Sequence, residues 1–466
     1  MSSSTPTIAK SLAEFVTGLK YDAIPAAIRA KAKLHLLDSV GIALAASGFE
    51  YARKACAGIR ALGTSSGGDY TVIGMPAKLS LRDAVLMNGM LLHGLEFDDT
   101  SIRGRLHPSA FCVPCALGTG TFTKASGTDV LSAYIAGMEC AVRIGMAARG
   151  GFSPAGFNAV GIVGGFGSVL VAGKLLGLDA ASIATAQGIV YSTTSGNREF
   201  ATTDAWTKRL EAGWPGVGAI TAAMLAREGF MGSHTPYEGK FGVFTTYLNA
   251  PAAAADIAAI PDKLGEHWEF AGIMIKMLPS CFFNHAPINS TLALVKAHDL
   301  RAEHIHSLRV LLPAAAIDTV CEPRAAKLVP GDIAAAQFSV YFSVACAAVR
   351  RQFTLHEMSA DALNDPAIRA LAARVEYAVD PQSNFPQHYS GGIEIVTADG
   401  RRFSAREDVN AGSLEKPIAA SAIEAKFMAN AQRVLSKPRA DEIRDLLLNI
   451  ESCRDVSTLT ARLGAP

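Results

Sequence analysis

Between Arg149 and Lys174 the chain runs for 24 residues without a charge. As a helix, that length is enough to cross a bilayer. Its composition argues otherwise, because eight Gly, Pro154 and Asn158 interrupt the run and no aromatic belt flanks it. The run predicts a glycine-rich helix buried in a core of closely packed helices. Composition agrees: 50% of residues are hydrophobic and only 18% are charged. So little charge implies much buried surface, in a large core or an oligomer.

The charge balance narrows the function classes. Lys plus Arg total 43 and Asp plus Glu total 42, a net charge of +1. A disordered chain needs low hydrophobicity and high net charge. A nucleic-acid binder needs a clustered positive face. Neither is present. At 466 residues the chain exceeds what one core usually supports, so two domains, or a large helical domain with an appendage, are expected. The opening MSSSTPTIAK has no apolar signal-peptide core. The eight Cys are scattered and do not read as a disulfide framework. Cys112 and Cys115 form a lone C-x-x-C around Pro114, without the second pair of a zinc site, and read as core thiols. The expectation is a soluble cytoplasmic protein with no membrane or nucleic-acid partner.

Most of the chain carries helical periodicity. Ile8, Leu12, Phe15 and Leu19 recur at helical spacing, and a long segment follows Pro25 through Leu36, Leu37 and Val40. Residues 63 to 68 read as a loop, with a short strand at Tyr70 to Ile73 ended by Gly74. Ser126 or Thr128 caps a helix carrying Leu131, Ile135, Met138 and Val142. A further helix spans about Gly216 to Arg227. Near residue 300 the pattern changes. Leu308, Val310 and Leu312 alternate, as do Val375, Tyr377 and Val379, and Ile393 and Ile395 lead to a turn at Asp399-Gly400. Ala-rich helices lie near 333–350 and 359–373. Helix returns after Pro417, with Ile423, Phe427 and Val434 on one face. The expected fold class is mainly α: an all-α helical domain from residues 1–270 and 410–466, and a smaller α+β domain from 271–409.

No phosphate-binding loop, dinucleotide fingerprint, H-E-x-x-H or G-x-S-x-G occurs. Chemistry is instead expected where polar residues crowd between apolar segments. The densest stretch holds His93, Glu96, Asp98, Asp99 and Thr100, then Arg103, Arg105, His107 and Ser109. Asp98-Asp99 has no second acidic cluster nearby, so no metal site is expected. A second stretch, Thr207 to Gly216, sets Lys208 and Arg209 before a Gly- and Pro-bounded turn into a helix, a place for an anion. A third runs from Lys276 through Pro279 and Cys281 to His285, where His285 reads as a satisfied core histidine.

In this order, the stretches resemble the MmgE/PrpD family over the full length. The resemblance rests on Thr71-Val-Ile-Gly74, on His93-x-Leu-x-Phe-Asp98-Asp99-Thr100 and on His107-Pro-Ser109. It continues through Gly137-x-Glu139 with Arg143, Phe157 to Leu178, Thr207-Lys208, Lys276 with Pro279, and Phe338-Ser339. It implies a homodimer whose helical domain carries a lid-like α+β domain. The family includes 2-methylcitrate dehydratase, cis-aconitate decarboxylase and iminodisuccinate epimerase, which act on polycarboxylates without metal or organic cofactor. Bond breaking beside a carboxylate builds charge on its oxygens, and cations must meet that charge.

On that resemblance His107, Lys208 and Lys276 are the expected catalytic groups. Glu96, Asp98, Thr100, Arg103, Arg105, Asn158, Arg209, Cys281 and Tyr341 are the expected substrate contacts. The chain departs from the family pattern at several positions. Glu96 stands for Asp, Asn158 for His, Cys281 for a His of the decarboxylases, and Arg209 and Glu211 for Ser and His. Phe342 stands for Tyr, with Tyr341 beside it. Fewer proton donors disfavour hydroxide expulsion, and more cations favour a substrate with more carboxylates. The leading expectation is therefore an epimerase of iminodisuccinate working by α-proton abstraction and return. The alternatives are a dehydratase-like or decarboxylase-like lyase and, behind both, a non-catalytic polycarboxylate binder.

Overall fold

The computed structural model describes residues 6–63, 67–201, 205–248 and 255–465. The first half is helical: α1 (Ile8–Gly18), α2 (Ala26–Ala46), α3 (Glu50–Arg60), α4 (Leu81–Leu92), α5 (Ser109–Thr123), α6 (Gly127–Ala147), α7 (Ala159–Leu175), α8 (Ala180–Tyr191), α9 (Thr207–Arg227) and α10 (Val243–Leu248). Ser80, Ser126, Asn158 and Asp179 start α4, α6, α7 and α8 by accepting a backbone N–H two or three residues on. A two-stranded ribbon, β1 (Tyr70–Thr71) with β2 (Lys78–Leu79), precedes α4; part of the loop expected before it lies outside the described residues. The uncharged run becomes α7, buried along almost its whole length. Helix α6 is long and apolar enough to cross a membrane, but 94% of its apolar window is buried inside the fold.

The α+β part begins with α11 (His285–Ala297). A four-stranded sheet follows in the order β4-β3-β5-β6, from β3 (Ile305–Leu312), β4 (Val375–Val379), β5 (Gly391–Thr397) and β6 (Arg402–Glu407). Strands β3 and β4 are parallel and so need a long crossover. The helices α12 (Arg324–Leu328), α13 (Ile333–Gln337), α14 (Val340–Arg350), α15 (Ala360–Asn364) and α16 (Pro366–Ala372) provide it. Strands β5 and β6 form the hairpin expected at Asp399-Gly400, where Gly400 takes φ +86°. The chain then returns to the helical part as α17 (Ala420–Ala431), α18 (Lys437–Leu448) and α19 (Ser457–Thr460). One hydrophobic core runs through both parts.

Several boundaries differ from the sequence reading. Helix α9 starts at Thr207 and passes through Pro215 instead of beginning at Gly216. A proline removes one helical N–H without forcing a break when tertiary packing holds the helix. That packing is a backbone crossing of α4 and α9. A Cβ on Gly89 would lie 2.5 Å from Gly213 Cα, and one on Gly213 would lie 2.2 Å from the Leu86 carbonyl oxygen. The Ala-rich segment at 333–350 is two helices, because the Ser339 side chain caps α14 anew. Residues 359–373 likewise divide into α15 and α16, where Asp365 caps the second. Val434 lies past the end of α17.

Candidate active site

The α4–α9 crossing brings the loop after α4 against the first turn of α9. Glu96, in that loop, adopts left-handed backbone with φ 49°, a conformation disfavoured for a residue with a side chain. Its carboxylate lies between two ammonium groups. Lys208 Nζ, from the first turn of α9, pairs with Oε1. Lys276 Nζ lies 3.5 Å from Oε2 and donates to the Glu96 carbonyl at 3.2 Å. Lys276 is placed by a strand-like bridge in which Thr100 and Met274 exchange backbone hydrogen bonds of 2.8 and 2.9 Å. Lys276 is buried and Lys208 largely so, and desolvation lowers the pKa of each; Lys276 depresses Lys208 further, while Asp98 partly restores Lys276.

Two histidines stand beside this cluster with ring centroids 5.2 Å apart. His107 Nδ1 lies 2.8 Å from the Asp99 carbonyl and 3.1 Å from Thr100 Oγ1. A carbonyl only accepts, so Nδ1 carries the proton and Nε2 keeps its lone pair. Burial lowers the His107 pKa, with Asp98 opposing. His93 Nδ1 is 2.7 Å from Asp98 Oδ2. Its Nε2 is buried and has no hydrogen-bond partner among the described residues. Burial takes its pKa down to about 3, so the ring is neutral in the physiological range. Asp98 is held well below the usual carboxylate range by His93, His107 and Lys276, against the opposing effect of its own burial.

Asp99 turns away from Asp98. It meets His35 Nδ1 at 2.8 Å, Ser109 N at 3.1 Å and Ser109 Oγ at 2.5 Å. The paired aspartates therefore serve different networks and do not converge on a common point. One braces the lysine–histidine cluster, and the other fixes the backbone that orients His107.

A cavity of about 80 Å³ opens beside the cluster. Its walls are His93, Glu96, Lys208 and Arg209 on the helical side, and residues 319 to 338 of the α+β part on the other. Arg209 Nε donates to the Gly94 carbonyl at 3.0 Å, and its guanidinium stacks 4.3 Å from the Tyr51 ring centroid. Cys281 is half-buried and within electrostatic reach of both lysines.

Other expected residues lie elsewhere. Arg103 is exposed and pairs with Glu269 at 2.5 Å. Arg105 is exposed, 5.8 Å from the Phe385 ring centroid. Both arginines line a different cleft, on the far side of the loop. The loop reverses at Ser101–Leu106, where a two-way backbone bridge sends these side chains away from His107. Asn158 caps α7 and donates to Glu211 Oε2 at 2.6 Å, so it meets a carboxylate of the chain itself. Tyr341 is fully buried on α14, and its hydroxyl accepts from Arg324 Nη1 at 3.3 Å. It faces the interior of the α+β part and lines none of the cavity. His285 is a core histidine as expected, 3.2 Å from the Ser280 carbonyl and stacked on Phe282.

Two groups escaped the sequence reading as individual contributors. His93 was only part of a motif, and the signal that could have marked it is its five-residue spacing from Asp98. Lys426, on α17, donates to the Phe97 carbonyl at 2.9 Å and the Lys276 carbonyl at 2.7 Å, and lies 2.7 Å from Asp38 Oδ1. No local pattern marks a contact between residues so far apart in sequence.

Residues 10–255 match the MmgE/PrpD N-terminal domain, and residues 278–452 match the MmgE/PrpD C-terminal domain. The chain is 27% identical to cis-aconitate decarboxylase of Homo sapiens over 475 residues, which covers 99% of this chain and 95% of the relative. It is 26% identical to cis-aconitate decarboxylase of Mus musculus over 478 residues, covering 99% and 94%. Identity to cis-aconitate decarboxylase of Aspergillus terreus is 24% over 483 residues, covering 98% and 96%. With domain matches over most of its length, the chain belongs to the MmgE/PrpD family.

Proposed function

We propose that this chain is a cofactor-independent lyase that breaks a bond beside a carboxylate in a small polycarboxylate, by decarboxylation of a cis-aconitate-type substrate. The observation that carries this reading is the buried Glu96 carboxylate shared by Lys208 and Lys276 at the wall of a cavity. An incoming carboxylate competes with Glu96 for the two ammonium groups. When CO₂ leaves such a substrate, the electron pair passes through the double bond onto the remaining carboxylate as an enediolate. Fixed cations in a site shielded from water meet that charge most effectively. A proton must then reach carbon, and His107, next to the cluster, is the group to deliver it from Nε2 once the ring is protonated there as the imidazolium.

The relatives' names favour this lyase over the iminodisuccinate epimerase expected from the sequence. The epimerase remains a second reading, supported by the Asn158–Glu211 hydrogen bond and the half-buried Cys281 at positions where the resemblance places histidines. Proton NMR in D₂O separates them, with cis-aconitate, 2-methylcitrate and iminodisuccinate supplied singly. CO₂ release with a deuterated product methylene is expected from cis-aconitate. Water loss from 2-methylcitrate would make the enzyme a hydro-lyase, and inversion of iminodisuccinate with deuterium uptake would make it the epimerase. Conversion of none would overturn the enzymatic reading.

We further infer a homodimer. Leu210, Trp214 and Leu225 on α9, with Phe230, Met231 and Phe241 beyond it, are exposed large apolar side chains. Such a surface favours association. Sedimentation equilibrium at twice the chain mass is the expected result, and Trp214→Asp should shift it toward the monomer.

A further inference from the structure

The cavity beside Glu96 takes one wall from each part of the fold. Lys208 and Arg209 stand on the helical side. Lys327, on α12, stands on the α+β side and is 8% exposed. A single ring relates the two lysines. The centroid of Phe338, which also lines the cavity, lies 5.1 Å from Lys208 Nζ and 5.8 Å from Lys327 Nζ. Both ammonium groups are thus within cation–π reach of one aromatic side chain. Among the described lining residues three are cations and Glu96 alone is an acid. Glu96 is already divided between Lys208 and Lys276. A recess lined mainly by one sign of charge concentrates ligands of the other sign.

The stem of Lys327 starts from a fixed backbone. Ser339 Oγ donates to the Lys327 carbonyl at 2.5 Å and accepts from Phe342 N at 3.0 Å, which ties α12 to the start of α14. Gln337 then fixes this wall against the lysine cluster. Its Nε2 donates to the Leu95 carbonyl at 2.5 Å and to the Pro279 carbonyl at 3.3 Å. Leu95 directly precedes Glu96, and Pro279 lies in the turn after Lys276. One buried amide therefore sets the position of the Lys327 wall relative to Glu96 and Lys276.

We propose that Lys327 is a specificity-determining substrate contact, supplied by the α+β part to a carboxylate at the end of the substrate away from Lys208 and Lys276. The ligand then joins the two parts of the fold, one carboxylate held by each. A ligand with a single carboxylate is held by the helical part alone. The inference rests on the reading that the Lys208–Lys276 pair takes a carboxylate, but not on which bond is broken.

Binding of inert ligands tests it without turnover. Glutarate and valerate differ in one terminal group, a carboxylate against a methyl, and both can be titrated calorimetrically into the full-length protein. The wild type should prefer glutarate by about 10- to 100-fold, the range for hydrogen bonds to a charged group. Lys327→Met keeps the buried stem and removes the charge. It should bring the two ligands within about 3-fold by weakening glutarate and leaving valerate unchanged, whereas Lys327→Arg should keep most of the preference. Glutarate, and not valerate, should also slow reductive methylation of Lys327 in the wild type, read by peptide mass spectrometry, which keeps the test open if the variants do not fold. Equal affinities in the wild type, equal weakening of both ligands by Lys327→Met, or equal protection of Lys327 by both would overturn the contact. Lys208→Met separates the two readings, because it should weaken glutarate and valerate alike. If it changes neither while Lys327→Met still abolishes the preference, the lysine-pair reading fails and Lys327 stands; binding of neither ligand to the wild type would remove both.

Discussion

Two buried lysine–carboxylate clusters lie close together in this protein and differ in one respect. The Lys426 ammonium is fully engaged: two carbonyls, the Asp38 carboxylate and the Phe97 ring, 3.7 Å from its centroid, surround it. Neither Lys426 nor Asp38 borders the cavity. Lys208 and Lys276 share Glu96 instead, and Lys208 and Glu96 form part of the cavity wall. The closed cluster holds the backbone of the segments that carry the open one, because its two carbonyls belong to Phe97 and to Lys276 itself. A buried ion pair alone therefore does not mark a site. Contact with a cavity and a strained backbone at Glu96 distinguish the pair proposed to meet substrate from the supporting one.

The comparison breaks if the two clusters respond alike to mutation. Removing one partner of a buried pair costs about 3–5 kcal/mol, so Lys426→Met should lower stability by that amount in chemical denaturation. His107→Asn should cut turnover by roughly 10²–10⁴-fold, the range for a lost general acid or base, while the melting temperature stays near that of the wild type. The pH profile gives its role. If His107 delivers the proton, the reactive form is the imidazolium, and kcat falls as pH rises through its depressed pKa. If it removes one, kcat rises there. The lyase reading expects the fall. Lys208→Met and Lys276→Met should each lower kcat by roughly 10²–10³-fold, as for loss of one oxyanion donor. A rise in KM alone would reduce that lysine to ground-state binding.

Asp38 sharpens the contrast through stability. Burial raises its pKa from 3.8 to about 6, against the pull of Lys426. A raised folded-state pKa means that the native protein binds more protons than the unfolded chain between about pH 4 and 6. The Asp38 contribution to stability therefore declines as pH rises through that window. Unfolding free energies of Asp38→Asn and wild type, compared across it, should converge at low pH and separate toward pH 7. Parallel curves would mean that Asp38 titrates normally.

The sequence made visible what depends on local pattern. Periodicity gave α1, α2 and α6, and alternation gave β3, β4 and β5, because each burial pattern is written within one element; the turn at Asp399-Gly400 pointed on to β6. The loop from His93 to Thr100, Lys208 and Lys276 stood out as polar residues between apolar runs. What stayed hidden depends on tertiary contacts. The α4–α9 crossing at Gly89 and Gly213 carries the helix through Pro215, and no local rule for proline contains that information. Lys426 reads as an ordinary helix lysine until the fold places it under Lys276. Tyr341 sits next to a family position in sequence, yet the register of α14 turns it into the core, against Arg324.

The smallest expected effect tests the opposite error, in which nearness in sequence passes for nearness in space. Arg103 is only a few residues from Asp98 and His107, but the reversal at Ser101–Leu106 sends it to the other cleft, where 58% of its side chain is exposed. Its pair with Glu269 is short, yet half in water, and exposed pairs contribute about 0.2–1 kcal/mol. Arg103→Ala should therefore lower stability by no more than that. Because the side chain does not border the lysine cavity, kcat and KM should stay within about 3-fold of wild type, less than the loss of even one ordinary hydrogen bond to substrate tends to produce. A large rise in KM would show that the arginine swings across the loop to reach the substrate, and the two clefts would then act as one site.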